Sequence, residues 1–539
     1  MTHKHLLFRT DARTKLLHGT AALADAVRIT LGPRSKSVLI AKKWGAPLVC
    51  NDGVTIAKEL ELKDPEEDLG VRALREAAER TGDEVGDGTS TATILAYTIY
   101  AEGVRNVEAG ASAIALKRGL DRGLRAAVDA IQRMSHPITK HVEKVQIASI
   151  SAHNDERVGA LVAEAVERVG ADGVVSLEDA KGIETALEVV EGMSFDRGFL
   201  SPYFVTDTAR MECVLDKPLI LMFEGRISAM QPLLPLLEQV VASTRSLLIV
   251  AEDVDAEALA TLVLNRVRGT LLAAAVKAPG FGDRRKDLLG DIATLTGGKV
   301  ISSDLGMKLE NVNLDDLGSA SRVVLDKDST AIIGGGGDKR AIADRITHLR
   351  KEIEDATSDY DKEKLRERLG KLSGGVAVIR VGAATEAEAK SRKEAFEDAV
   401  SATKAAVSEG VVPGGGLVLL RAIEAIRAEE GACEGDEQTG LKILERALEA
   451  PTRTIAENSG FDPGVVIEKM RTSTNSHGFD AARGVYCDLV EAGIIDPTKV
   501  VRLALENAVS IASTLLLSEA TMTEVAEPTS HRASEELEG

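Results

Sequence analysis

The segment Val85-Gly86-Asp87-Gly88-Thr89-Ser90-Thr91-Ala92-Thr93 places one carboxylate, two glycines and four hydroxyls at the start of an apolar helix. That composition suits phosphate and metal chemistry. Gly86 and Gly88 let the backbone approach a ligand, and the free N–H groups of a helix start attract anions. Asp87 can hold a divalent cation, and the hydroxyls of Thr89, Ser90, Thr91 and Thr93 can contact phosphate oxygens. The same residues also fit an Asp-capped helix with a polar first turn, and the segment alone does not choose between the two.

The elements that position this segment are legible from capping and periodicity. Asp64-Pro65-Glu66-Glu67 reads as N-cap, N1 proline and acidic first turn of a helix running to about Arg80. A second helix follows Asp87, and a third begins near Ser112 with Leu116, Leu120, Leu124, Val128 and Ile131 on one side. Residues 1–135 are therefore mostly helical. Short apolar runs at 173–177, 219–222, 247–250 and 273–276, separated by helices and glycine turns, predict an α/β region. Residues 341–372 are charged and heptad-like, which suits a pair of partly solvated helices. A strand at 376–381 and a helix at 386–409 follow, and the rest is helical up to a polar end. The glycine run at 334–337 reads as a surface turn, since no phosphate-loop lysine motif accompanies it.

A chain of 539 residues with 44% hydrophobic content predicts about two to four globular domains. A net charge of −19, with one Trp, five Tyr and nine Phe, argues against nucleic acid as a partner. Cys50, Cys213, Cys433 and Cys487 show no C-x-x-C spacing and read as buried, reduced thiols. The start of the chain lacks a long apolar stretch, which predicts a protein that stays in the cytoplasm. The runs near 247–251 and 511–517 are too short for a membrane span and read as core.

Further segments carry a resemblance. They are Thr30-Leu31-Gly32-Pro33, the stretch Asn51-Asp52-Gly53-Val54-Thr55, read as a turn between two strands, and Gly414-Gly415-Gly416. To these add Leu23-Ala24-Asp25-Ala26-Val27, Glu191-Gly192-Met193-Ser194-Phe195-Asp196-Arg197-Gly198, Ala278-Pro279-Gly280-Phe281-Gly282-Asp283-Arg284-Arg285-Lys286, Ala356-Thr357-Ser358-Asp359-Tyr360-Asp361 and Asp496-Pro497-Thr498-Lys499-Val500. From about Phe8 to about Glu524 the chain resembles a group I chaperonin of the GroEL type. The resemblance implies a multidomain α and α/β fold: a mostly helical equatorial domain (1–135 and 410–525), a small intermediate domain (136–190 and 376–409), an α/β apical domain (191–375) and a flexible acidic tail (526–539). Gly192, Gly374 and Gly375 then sit at a hinge. The tail lacks the Gly-Gly-Met repeat of common members, which points to a specialised bacterial paralogue.

The resemblance also implies site residues. Asp87 matches the magnesium ligand, Asp398 the carboxylate that positions attacking water, and Asp52 a third acid of the same pocket. Thr30, Leu31, Gly32, Pro33, Gly88, Thr89, Ser90, Thr91, Ile150, Gly415, Ile494 and Asp496 match positions around ATP. Asp480 stands where the family has asparagine, and Asn51 where it usually has a lysine beside the phosphates. ATP, Mg2+ and K+ are the implied cofactors. Around 230–241, Met230, Leu234, Leu237 and Val241 form one apolar stripe and Leu233, Leu236 and Val240 another, more arc than one buried face needs. Leu234 and Leu237, with Phe199, Tyr203, Phe204, Leu259, Val263 and Leu264, match positions that bind non-native polypeptides and the co-chaperonin lid. Arg197 with Glu386 matches an inter-subunit ion pair and Asp83 with Lys327 one within the subunit. Acidic clusters at Glu252, Asp253, Asp255 and Glu257, and at Asp359, Asp361 and Glu363, would face a folding chamber. The whole reads as an ATP-dependent chaperonin in heptameric rings, single or double. One rival is a paralogue that binds clients with weak or lost ATPase activity, as Asn51 permits; another is an ATP-using enzyme on a small substrate, for which the sequence shows no second pocket.

Overall fold

The structure is a computed structural model describing residues 4–42, 47–152, 155–170, 173–180, 182–208, 210–302, 306–356 and 358–524. These residues form two compact units, one within 1–163 and 394–539, the other within 164–393.

The first unit is built from long helices, chiefly Arg9–Arg28, Pro65–Val85, Thr89–Glu108, Ala113–Arg133, Asp436–Leu448 and Thr498–Leu517. Asp64 caps the second of these, accepting from the N–H groups of Glu66 and Glu67. This helix passes Arg80 and ends at Val85. Thr81 bonds back to the Ala77 carbonyl at 2.8 Å and takes a hydrogen bond from buried Asn507 at 3.1 Å, and Val85 packs with Ala405, Val500 and Leu503. Tertiary contacts thus carry the helix through a stretch of weak periodicity. Glycines let helix pairs touch: a Cβ on Gly119 would lie 2.1 Å from the Glu437 carbonyl oxygen, and one on Gly440 2.3 Å from that of Leu116. The Thr498–Leu517 helix is long and apolar enough to cross a membrane, yet most of it is buried among its neighbours, so the run at 511–517 is core.

Two expectations change here. Residues 51–55 do not join two strands. Strand Leu48–Cys50 leads into helix Gly53–Glu59, because the Asp52 carboxylate accepts from the N–H groups of Val54 and Thr55 and starts the helix there. The C-terminal part is not purely helical either, since short ribbons pair Lys4–Phe8 with Ala520–Glu524, Val411–Pro413 with Ile495–Pro497 and His477–Asp480 with Val485–Asp488.

The second unit centres on an eight-stranded mixed sheet. Strands Leu219–Ile227, Leu247–Val254 and Ala273–Lys277 are parallel, and their stretches 219–223, 247–251 and 273–276 are apolar and buried, as strand segments covered on both faces must be. The run at 173–177 belongs elsewhere: Val174–Asp179 joins Val376–Val381 and Ala186–Val190 in a separate three-stranded sheet. The glycines at 334–337 are no surface turn. Gly334 and Gly335 end strand Thr330–Gly335, and a Cβ on Gly337 would sit 2.1 Å from the Thr294 carbonyl oxygen. Backbone packed on backbone excludes any larger residue. The charged helices are Lys339–Asp355 and Asp359–Ser373, and they are pinned by fully buried Asp291, which accepts from Arg345 at 2.8 Å and from Arg368 at 2.9 and 3.1 Å. All four cysteines are free; three are buried and Cys487 is half-buried.

Gly119→Ala should weaken the first unit by about 1–3 kcal/mol through overpacking, read as an earlier urea transition by circular dichroism. Gly431→Ala, which meets nothing within 4 Å, should move that transition by less than about 0.5 kcal/mol.

Candidate functional site

The turn Gly86–Asp87–Gly88 joins two long helices of the first unit. Both glycines are left-handed, at φ 69° and 81°, and neither tolerates a side chain: a Cβ would come within 2.5 Å of Ser401 Cβ and 2.6 Å of Val500 Cγ1, respectively. Gly88 is the N-cap of Thr89–Glu108 and offers no side-chain cap, so the first-turn N–H groups stay open to an anion. Asp87 is therefore not the cap. Its carboxylate accepts from Gly88 N–H at 2.5 Å and from the Ser151 hydroxyl at 2.8 Å. Thr30 and Ser90 share a hydroxyl hydrogen bond of 3.1 Å, which ties the Thr30–Pro33 loop to the same helix start. Asn458 holds that loop from below, donating to the carbonyls of Arg28 and Leu31 at 2.8 Å.

These elements enclose a cavity of about 520 Å³. Every nucleotide position expected from the sequence lines it: Thr30 to Pro33, Asn51, Asp52, Asp87 to Thr91, Ile150, Asp398, Gly415, Asp480, Ile494 and Asp496. Its lining also includes the apolar side chains of Pro451, Ile455, Phe479 and Ala481, which suit a flat ring. Asp480 is buried there and accepts from the N–H groups of Ala482 and Arg483. Ser151, Ile455 and Phe479 escaped the sequence reading. A lone serine or phenylalanine carries no spacing signal; only the fold brings residue 151 to residue 87.

Charge is the cavity's main property. Among the described residues, five carboxyl groups line it (Asp52, Asp87, Asp398, Asp480 and Asp496) against one cation, Arg483, which lies 3.7 Å from Asp480. Asp398 sits on the Glu386–Glu409 helix and is not the solvated acid that a charged helix usually carries. It is half-buried and lines the cavity, and burial, followed by the charges of Asp87 and Asp52, pushes its pKa up to about 9. Asp496 is raised to about 7 by burial and by Asp87. Among the described residues no three acids, histidines or cysteines converge to enclose a metal ion. The donor set nevertheless fits Mg2+, which takes one or two carboxylates and fills its remaining positions with phosphate oxygens and water.

The second unit divides the expected client surface. Tyr203 is 69% exposed, Leu234 45%, and Val241 and Leu264 are comparable to Leu234, while Phe199, Leu259 and Val263 are half-buried. Phe204 and Leu237 are corrections. Phe204, the last residue of the 3-10 turn Pro202–Phe204, points into the core as Tyr203 points out, and Leu237, at 7% exposure, packs into the same core with Leu233, Leu236 and Val240. Met230 is buried too. The acidic cluster at 252–257 is largely neutralised: Glu252 pairs with Arg285, Asp253 with Lys277 and Asp255 with Arg226. The side chains of Asp359, Glu363 and Glu386 and all of residues 526–539 lie outside the described residues; Asp83 and Lys327 fall in different units.

Comparison with known proteins agrees along the whole chain. The model of the TCP-1/cpn60 chaperonin family matches residues 23–525. A similar protein, Chaperonin GroEL 5 of Bradyrhizobium diazoefficiens, is 64% identical over 535 residues, covering 99% of each chain. With the helical unit, the mixed-sheet unit and the acidic cavity in place, this chain belongs to the TCP-1/cpn60 chaperonin family.

Proposed function

We propose that the cavity of the first unit is where this ATP-dependent chaperonin binds and hydrolyses ATP, and that Asp87, Asp52 and Asp398 have separate tasks there. The chain is an ATPase whose hydrolysis is coupled to the folding of other polypeptides, in partnership with a co-chaperonin. The observation that carries the residue assignment is the surplus of carboxylate in a cavity whose helix start is built for an anion. A polyphosphate entering alone would meet like charge, so cations must accompany it. Asp87 would hold Mg2+, which offsets phosphate charge when bound; K+ would share that work. The open N–H groups after Gly88 and the hydroxyls of Thr89, Ser90 and Thr91 bind phosphate oxygens. The apolar wall with Asp480 takes the base. Asp398 orients the attacking water, and its place in the proposed intermediate domain makes hydrolysis depend on closure.

The domain division 1–135 with 410–525, 136–190 with 376–409, and 191–375 is part of this proposal. Its support is the three-stranded sheet of Val174–Asp179, Ala186–Val190 and Val376–Val381, whose strands all fall in the two intermediate pieces. Hinge motion at Gly192, Gly374 and Gly375 would follow, helped by the left-handed Gly375 at φ 67°. Assembly into a heptameric ring, single or double, and action in the cytoplasm complete the reading. Two ribbons of the first unit carry exposed apolar residues suited to assembly, Leu6, Phe8 and Met522 on one, and Leu39 and Val49 on the other. Clients and the lid would dock on Tyr203, Leu234, Val241 and Leu264, where apolar surface is left open.

Asp398→Ala should leave ATP affinity nearly intact and slow turnover by at least about a hundredfold, the scale of a lost positioning group; Asp87→Ala should weaken magnesium-dependent ATP binding itself. Calorimetry beside a phosphate-release assay separates the two effects, and equal loss of both in Asp398→Ala would remove that residue's assigned role. Asn51→Lys adds a cation to an acidic cavity and should raise turnover or tighten ATP by about five-fold to a hundred-fold, the worth of one charge-assisted hydrogen bond. Steady-state kinetics at matched magnesium and potassium checks it. Leu234→Ser with Leu264→Ser should abolish capture of an unfolded protein without shifting the thermal midpoint, whereas Leu237→Ser should destabilise the second unit by about 2–5 kcal/mol as a polar group in a packed core.

A further inference from the structure

Ser149 and Ser151 stand two residues apart at the end of helix His141–Ser151, and their hydroxyls are used differently. Ser149 donates back to the Val145 carbonyl at 2.7 Å, the usual resort of a helical serine. Ser151 donates instead to Oδ2 of Asp87 at 2.8 Å, across 64 positions of chain. The other Asp87 oxygen accepts from Gly88 N–H at 2.5 Å, so each oxygen has one protein donor and keeps lone-pair capacity for a cation. The last torsion of an aspartate is soft, and a carboxylate with a single donor can turn about it. Donors on two different elements hold it still.

The support beneath that hydroxyl is firm. Ile147, one turn back on the same helix, is buried with Ala402 and Ala406 of the helix that bears Asp398, and with Val411 and Ile495 of the adjoining ribbon. Ile150 lines the cavity beside Ser151. From the other side the helix Glu156–Val169 closes in, since a Cβ on Gly159 would lie 2.0 Å from Ser149 Oγ. The Asp87 turn meets the Asp398 helix as well, through Gly86 against Ser401. One helix therefore ends on a donor to Asp87 and packs, through its middle, against the element that carries Asp398. A group that holds a metal-binding side chain without touching the metal typically changes metal affinity by about ten- to a hundredfold when it is removed.

We propose that Ser151 is the positioning residue for Asp87, and that its hydroxyl raises the affinity of the cavity for the cation that accompanies the nucleotide; this rests on the reading of Asp87 as the residue that holds Mg2+. Calorimetric titration of the full chain with a non-hydrolysable ATP analogue, in excess Mg2+ and again in EDTA, tests it. In Ser151→Ala the gain in affinity that magnesium brings should shrink about tenfold while affinity in EDTA stays unchanged. Ser151→Thr, which keeps the hydroxyl, should restore most of the gain. Added to Asp87→Ala, Ser151→Ala should cost nothing further, because both act on one contact. Circular dichroism melting of each variant separates a lost contact from a lost fold. An undiminished magnesium gain in Ser151→Ala would overturn the proposal, and so would equal losses with and without magnesium, which would make Ser151 a wall of the cavity and nothing more. A gain that persists in Asp87→Ala would overturn the magnesium reading of Asp87 and this proposal with it, whereas a gain lost in Asp87→Ala but kept in Ser151→Ala would remove Ser151 alone.

Discussion

Like charge concentrated in one small space is the constraint on which the rest of this molecule depends. Five carboxyl groups around one cavity, with one arginine among the described residues that line it, resist being ionised together and disfavour a bare phosphate. The cost appears in the raised pKa values of Asp398 and Asp496. Such an arrangement persists only because rigid elements hold it: Asp52 is occupied in capping its own helix, Asp87 is held by Ser151 and Gly88, and Asp480 is fixed by two backbone N–H groups. Cations that entered with an anion would relieve that repulsion.

The helical unit supplies the rigidity. Gly119 and Gly440 bring two helices to backbone contact, and the helices that flank Asp87 are locked to Thr498–Leu517 through Asn507 and Thr81 and through Gly88 against Val500. Small displacements there would move Asp87 relative to Asp52, so packing density and chemistry are linked. The mixed-sheet unit has a different task. Its core is closed by parallel apolar strands, and the buried Asp291 with Arg345 and Arg368 secures the charged helix pair beside it. Apolar side chains left over at Tyr203, Leu234, Val241 and Leu264 are then exposed because the core beneath them is already full.

Much of this was legible in order along the chain. The Asp64 cap, the helix after Asp87, the helix after Ser112, the strand Val376–Val381 and the helix Glu386–Glu409 follow from local capping and periodicity, which are short-range effects. The residues that the resemblance led one to expect around a nucleotide all line one cavity. Where local signals were ambiguous, the reading failed in a consistent way. The turn at Asp52 begins a helix rather than a second strand, and the glycines read as a surface turn at 334–337 begin inside a strand.

The sequence by itself determined the helix starts, the apolar strands, the Gly-Asp-Gly turn that opens an anion site and the net negative charge, because each depends on neighbours a few residues away. Tertiary structure alone decided that Leu237 and Phe204 are core while Leu234 and Tyr203 are surface, that Ser151 supports Asp87, and that Asp398 lines the cavity rather than a solvated helix face. Burial and electrostatic environment are sums over groups brought together from distant parts of the chain, and no periodicity within a single helix or strand encodes that sum.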